Sequence, residues 1–156
     1  MDREQVIERI VQKLEEERQQ LYQSYSTHLD ATNRASSAMT SRYDSTREEM
    51  GAVADAIAQK ITELDELVGR IRSMSVSQGR IQLGAIALIT EGEHKYYVLF
   101  VPEGAGGREI SEGEIRIVTI APTSPVGRAL LRKQAGDEIE INLPSGVRIL
   151  EVLEVG

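Results

Sequence analysis

The apolar positions of this chain follow one period in its first half and another in its second. From Ile7 they recur at Ile10, Leu14 and Leu21, in steps of three and four that Glu17 interrupts, with Glu, Gln and Arg between them. That spacing predicts a helix with a narrow apolar seam. Met50, Ala54, Ile57, Ile61, Leu64, Val68 and Ile71 then alternate steps of four and three, the heptad spacing of a coiled-coil strand. No proline or glycine interrupts residues 1–50, so nothing forces an early stop in the first helix. Two narrow seams facing each other make an antiparallel hairpin; pairing between two chains into a dimer is the alternative that the same heptads permit. A seam this narrow cannot be the core of a globular bundle, so the hairpin is expected to project into solvent, about 40 Å for a helix of roughly 28 residues.

Ser and Gly break the pattern in RSMSVSQGR, residues 72–80, and beyond it the period becomes that of strands. GAIALIT, KYYVLFV, EIRIVTI, DEIEINL and VRILEVLEV are rich in β-branched residues and separated by the turn signals EGEH, PEGAGGRE and PSG. Between the third and fourth runs, Gly127 to Gln134 reads as a short amphipathic helix opened by Ser124-Pro125 and closed before Gly136. The expected organisation is a coiled-coil hairpin over residues 1–75 with its tip at about 30–42, a linker at 76–80, and a compact α+β domain of about five strands and one helix over 81–156.

Composition narrows the function. Five Tyr, one Phe and no Trp leave little material for an aromatic ligand site or a base-stacking platform, so the core must be aliphatic. The net charge of −7 divides as −4 over residues 1–78 and −3 over the remainder, so neither half is a basic footprint for nucleic acid and a protein partner is the default. The absence of cysteine excludes disulfides, thiol nucleophiles and cysteine-ligated zinc; the N-terminal segment MDREQVIERIVQKLEEE has no apolar stretch of signal-peptide length, and no run anywhere approaches the length of a membrane span. The chain therefore reads as soluble and cytoplasmic, with no membrane partner.

The segment Ser124-Pro125-Val126-Gly127-Arg128-Ala129-Leu130-Leu131-Arg132-Lys133-Gln134-Ala135-Gly136-Asp137 resembles the signature of the C-terminal domain of the bacterial GreA/GreB transcription elongation factors. The strand opening at Leu83-Gly84-Ala85-Ile86-Ala87-Leu88, the acidic-apolar run Glu138 to Leu143 and the turn Pro144-Ser145-Gly146 follow the same family order, as does a preceding helical hairpin. The resemblance implies a C-terminal domain with a fold similar to FK506-binding prolyl isomerases. Fold likeness does not carry the activity, and the aromatics available here, Tyr96, Tyr97 and Phe100, crowd onto one strand.

The resemblance further implies docking of that domain on RNA polymerase beside its secondary channel, with the hairpin reaching the active site. In cleavage-competent members the tip carries Asp-Leu-x-Glu-Asn-x-Glu-Tyr, whose first acids help hold a second Mg²⁺ and its water. A hard cation wants carboxylate oxygens, and two metals flanking a phosphate activate the attacking water. Placing the family Tyr on Tyr43 puts Ser36, Met39 and Arg42 at the acidic positions and Thr40 at the Asn position. Neutral, soft and cationic groups make a poor Mg²⁺ site. Asp30 and Asp44 lie fourteen residues apart, so no small register shift restores a close acidic pair. Glu48-Glu49 lies in the second helix flank and reads as solvated surface. The stretch Arg42 to Met50 is similar to a divergent branch of the family that also lacks the metal-binding acids. Arg34, Arg42, Tyr43, Asp44 and Arg47 are the expected tip contacts, the arginines being suited to acids or phosphates in a channel and equally to helix-surface pairs with nearby carboxylates. Ser124, Pro125, Arg128, Lys133 and Asp137 are the expected polymerase-docking residues.

Other motifs reduce to structure. His28 and His94 have no second ligand at metal spacing, Gly104-Ala105-Gly106-Gly107 opens no helix and reads as a hairpin loop, and Ser124 with Asp137 reads as a helix N-cap and a turn-stabilising acid. The expectation is a non-enzymatic, cofactor-free regulator, monomeric or dimeric. It would bind RNA polymerase by protein–protein contacts, meet nucleic acid only indirectly, and insert its hairpin without stimulating transcript cleavage. A coiled-coil scaffold with an unrelated protein partner is the alternative.

Overall fold

The computed structural model describes residues 2–36, 44–75 and 79–156, and within these the side chains of 32–36, 44–47, 50 and 112 are excepted. Two long helices, α1 (Arg3–Ser36) and α2 (Asp44–Arg72), form an N-terminal hairpin. They precede a mixed sheet of β1 (Ile86–Glu91), β2 (His94–Phe100), β3 (Glu109–Glu112), β4 (Ile115–Ile120), β5 (Glu138–Leu143) and β6 (Gly146–Val155), with the short helix α3 (Pro125–Leu130) between β4 and β5. By contacts the chain divides into two compact units: Met1–Ile10 with Gly69–Gly156, and Val11–Val68.

Within the Val11–Val68 unit the heptad seam is the buried stripe. Val11 and Leu14 of α1 and Ala54, Leu64 and Leu67 of α2 are buried, while Leu21, Ile57, Ile61 and Val68 are half-buried. Leu67, not Val68, therefore takes the deeper position, because the straight helix drifts against a strict seven-residue repeat. Arg18 pairs with Asp65 at 2.6 Å across the two helices, which fixes them as antiparallel partners of one chain in this unit.

In the other unit the strand order is β3-β4-β2-β1-β6-β5; β2 and β4 run parallel and every other neighbouring pair is antiparallel. The period-two pattern places Ala87, Ile89, Val98, Phe100, Ile120, Ile139, Ile141, Leu150 and Val152 on one face, where they form the core with Ile81 and Leu130. Each large aliphatic or aromatic side chain so buried contributes about 1.5–3 kcal/mol relative to exposure. At the start of α1, the Arg3 guanidinium donates to the carbonyls of Gly84 (2.9 Å), Met74 (2.9 Å) and Ser75 (3.2 Å). Gly84 sits at φ +87 and its hydrogen faces the Ser75 carbonyl so closely that a Cβ would lie 2.6 Å from that oxygen. Only glycine lets the chain pass there.

Two elements differ from the sequence expectation. A sixth strand, β3, begins at the last residue of the Gly-rich turn PEGAGGRE and continues through residues 110–112, which the sequence pattern assigned to no strand; it pairs antiparallel with β4 through Glu109↔Val118 to Glu112↔Ile115. The short helix spans Pro125–Leu130 and does not continue to Gln134. Arg132 adopts φ 67, which turns the chain so that Arg132 N–H donates to Ile81 O (2.7 Å) and Ile81 N–H donates to Lys133 O (2.8 Å). Burying Ile81 requires its backbone groups to be paired, and residues 131–134 supply those partners in place of a last helical turn.

Candidate functional site

The Ser124-Pro125 signal positions one wall of a surface groove. Ser124 is the N-cap of α3, with extended backbone angles (φ −69, ψ 156); its Oγ accepts from Gly127 N–H at 3.0 Å and donates to Ala121 O at 2.8 Å. Pro125 follows at N1, where a missing N–H costs nothing. Beside this turn lies a cavity of about 400 Å³, with Ser124, Val126, Ile120 and Ala121 on one side, Gly104, Gly106 and Gly107 on another, and Tyr96, Arg116 and Arg148 at the sheet. Thr119, 1% exposed, ties the glycine loop to β4: its Oγ1 donates to Ala105 O at 2.7 Å and accepts from Arg108 N–H at 2.9 Å.

Two forked ion pairs hold the polar end of the groove. Arg116 donates Nε and Nη2 to the two oxygens of Glu109 at 2.7 and 2.9 Å. Arg148 does the same to Glu91 at 2.7 and 2.6 Å. The Arg116 guanidinium also stands 5.5 Å from the centre of the Tyr96 ring, within cation–π range. The hydrogen bonds from Arg148 hold the Glu91 carboxyl below its ordinary range, and burial pushes the Tyr96 hydroxyl up. Both arginines are thus charged and already satisfied, so the groove offers shape and apolar surface more than free cations. Tyr96 was visible in the sequence as an aromatic; Arg116, Arg148, Glu91 and Glu109 carried no signal, since their partners lie 7 and 57 positions away and only the folded register brings them together.

The expected docking residues distribute unevenly around this groove. Ser124 lines it, Pro125 and Arg128 are exposed on α3, and Lys133 is half-buried in the segment that pairs with Ile81. Asp137 accepts from Gln134 N–H at 2.9 Å, the turn-stabilising role read from the sequence, and does not line the groove. Of the hairpin-tip residues, Met39, Arg42 and Tyr43 lie outside the described residues, as do the side chains of Arg34, Ser36, Asp44 and Arg47. Glu48 and Glu49 are exposed on α2. Among the described residues no three His, Asp or Glu side chains gather as a metal site, and no helix is long and apolar enough to cross a membrane.

The family model described as transcription elongation factor, GreA/GreB, C-terminal, matches residues 77–156. A GreA transcription elongation factor of Hyphomonas neptunium is 33% identical over 106 residues, which cover 64% of this chain and 62% of that protein. A GreA factor of Brucella canis is 33% identical over 97 residues, covering 60% of this chain and 59% of that one. The chain thus spans about three-fifths of the length of the curated relatives it matches. Among solved structures, that of Gfh1 from Thermus aquaticus is 24% identical, with a TM-score of 0.40 and coverage of 95% of this chain and 92% of that one.

Proposed function

The chain belongs to the GreA/GreB family of transcription elongation factors, and from that premise we propose that it binds RNA polymerase, inserts its hairpin into the secondary channel and regulates elongation without stimulating transcript cleavage. The observation that carries the last clause is the tip sequence: between Asp30 and Asp44 there is no Asp or Glu. A second catalytic Mg²⁺ needs closely spaced carboxylate oxygens, and a tip of Ser36, Met39 and Arg42 brings none. The channel would then be occupied by a hairpin that blocks access or alters pausing.

On this reading the groove beside Ser124 and Pro125 takes the docking element of the polymerase, with Arg128 at its edge and Lys133 and Asp137 bracing the following turn. The cavity of about 400 Å³ and its apolar walls support that role. The intrachain pair Arg18–Asp65 supports a hairpin that works within one chain, over a scaffold that dimerises through its heptads.

The test is competition on the elongation complex. The protein should bind core RNA polymerase, be displaced by a cleavage-competent GreA, and leave a backtracked transcript uncut. Binding without displacement would place it elsewhere on the enzyme, and cleavage that survives removal of any contaminating factor would refute the non-cleaving reading.

A further inference from the structure

The face of β5 and β6 turned away from the core has a character that polymerase docking through the groove does not use. On these strands Ile139, Ile141, Leu150 and Val152 point inward, so Glu138, Glu140 and Asn142 alternate outward on β5 and Val147, Ile149 and Glu151 on β6. The register sets Glu138 directly opposite Glu151, Glu140 opposite Ile149 and Asn142 opposite Val147. Val147 is 59% exposed and Ile149 53% exposed, although both are large and β-branched. Among the described residues none of the three carboxylates has a hydrogen-bonding or ion-pairing partner. Across the sheet Glu151 neighbours Thr90, and the first cation on that face is Lys95, one strand further. Arg148, between the two exposed aliphatics in sequence, points to the other face and is engaged by Glu91.

Like charges placed directly opposite on adjacent strands oppose pairing. Here such a pair stands beside two solvent-exposed aliphatics on β6, the strand next to the edge strand β5. We propose that this face is a docking surface for a basic protein segment that carries aliphatic side chains. Lysine or arginine of the partner would neutralise Glu138, Glu140 and Glu151, and the partner's aliphatic groups would cover Val147 and Ile149. Charge complementarity selects this occupant. A second copy of the chain would set the same three carboxylates against themselves, and a nucleic acid would meet them with phosphates. The patch is small, so the contact belongs to the weak, transient class in which charge governs the encounter rate. The site is separate from the groove beside Ser124, and its test involves no polymerase.

The experiment is an NMR titration of the ¹⁵N-labelled full chain with a short synthetic peptide alternating lysine and valine, against a glutamate–valine peptide of the same apolar pattern. Shift changes confined to residues 138–151 are expected with the lysine peptide, weakening as salt rises, and none with the glutamate peptide. A Val147→Thr/Ile149→Thr variant, which keeps β-branched residues on the strand and the melting temperature unchanged, should weaken binding roughly tenfold. Glu138→Gln/Glu140→Gln/Glu151→Gln should abolish both binding and its salt dependence. Shifts spread over all acidic surface, an undiminished response from the glutamine variant, or equal binding of the glutamate peptide would each overturn the proposal. A concentration-dependent dimer in sedimentation that the threonine variant abolishes would assign the face to a second copy instead.

Discussion

Replacing Gly127 by alanine would add a single methyl group to a helix, a change that ordinarily stabilises by up to about 1 kcal/mol, yet at this position it is expected to destabilise strongly. An ideal Cβ on Gly127 lies 2.0 Å from Ala121 O, 2.9 Å from Ala121 C and 2.8 Å from Ser124 Oγ. Real Cβ atoms essentially never come within 3.0 Å of such a neighbour, so the backbone must yield by at least about 1 Å. The oxygen that has to move is the one accepting both Ser124 N–H (3.1 Å) and Ser124 Oγ–H (2.8 Å), so the shift dismantles the N-cap. Overpacking of this kind costs about 1–3 kcal/mol and a lost cap about 1 kcal/mol. After a helix-propensity gain of up to about 1 kcal/mol, a net loss of about 1–3 kcal/mol remains. Gly69→Ala is the control in the same unit: it is helical and exposed, nothing lies within 4 Å of its added Cβ, and it should gain about 0.5–1 kcal/mol. Urea denaturation followed by tyrosine fluorescence should lower the midpoint by on the order of 1 M for Gly127→Ala, with the slope unchanged, and raise it slightly for Gly69→Ala. A Gly127→Ala protein as stable as the parent would refute the steric argument, and with it the claim that the Ser124 turn is a rigid wall of the groove.

Two further changes probe the groove from its other sides. Thr119→Val keeps shape and removes the hydroxyl, leaving Ala105 O and Arg108 N–H without their 2.7 and 2.9 Å partner beneath the glycine loop; thermal unfolding should report a loss of about 1–3 kcal/mol, and no loss would mean water or a loop shift replaces the hydroxyl. Glu91, with its carboxyl held below the ordinary value by Arg148, stabilises the fold fully above its unfolded pKa, and that contribution disappears as pH falls through the lower folded value. Glu91→Gln should therefore cost about 0.5 kcal/mol at neutral pH, discounted because both partners are about one-third exposed, and nothing at a pH below the folded value; equal effects at both pH values would exclude the ion pair as the cause.

The hairpin and most of the sheet were legible because burial there follows a simple period. Ile10, Leu14, Ala54, Leu64 and Ile71 are buried where the heptads put them, and the runs around Ile89, Val98, Ile120, Ile141 and Leu150 are strands. What escaped is what depends on partners distant in sequence. The four residues of β3 are too few and too polar to stand out from a turn; they become a strand only because β4 is there to pair with them. Leu131 to Gln134 continue a helical pattern, but Ile81, fifty residues earlier, captures their backbone. At the groove, Ser124 was readable because a cap is local, whereas the Arg116–Glu109 and Arg148–Glu91 forks exist only in the folded register.

That difference in pairing bears on how one small sheet could meet two partners. At the groove the two cations that line it, Arg116 and Arg148, are already matched by carboxylates in forked geometry, so a partner gains little by bringing charge there and is selected by how well it fills the apolar walls between Val126, Ile120 and Tyr96. On the outer face of β5 and β6 the reverse holds: Glu138, Glu140 and Glu151 have no partner among the described residues, and a partner that brings cations removes a repulsion between Glu138 and Glu151. Salt would accordingly leave the first contact nearly unchanged and weaken the second, since solvent-exposed charges are screened within about 8–10 Å at physiological ionic strength. The two surfaces lie on opposite faces of the same sheet, so occupying one leaves the other open.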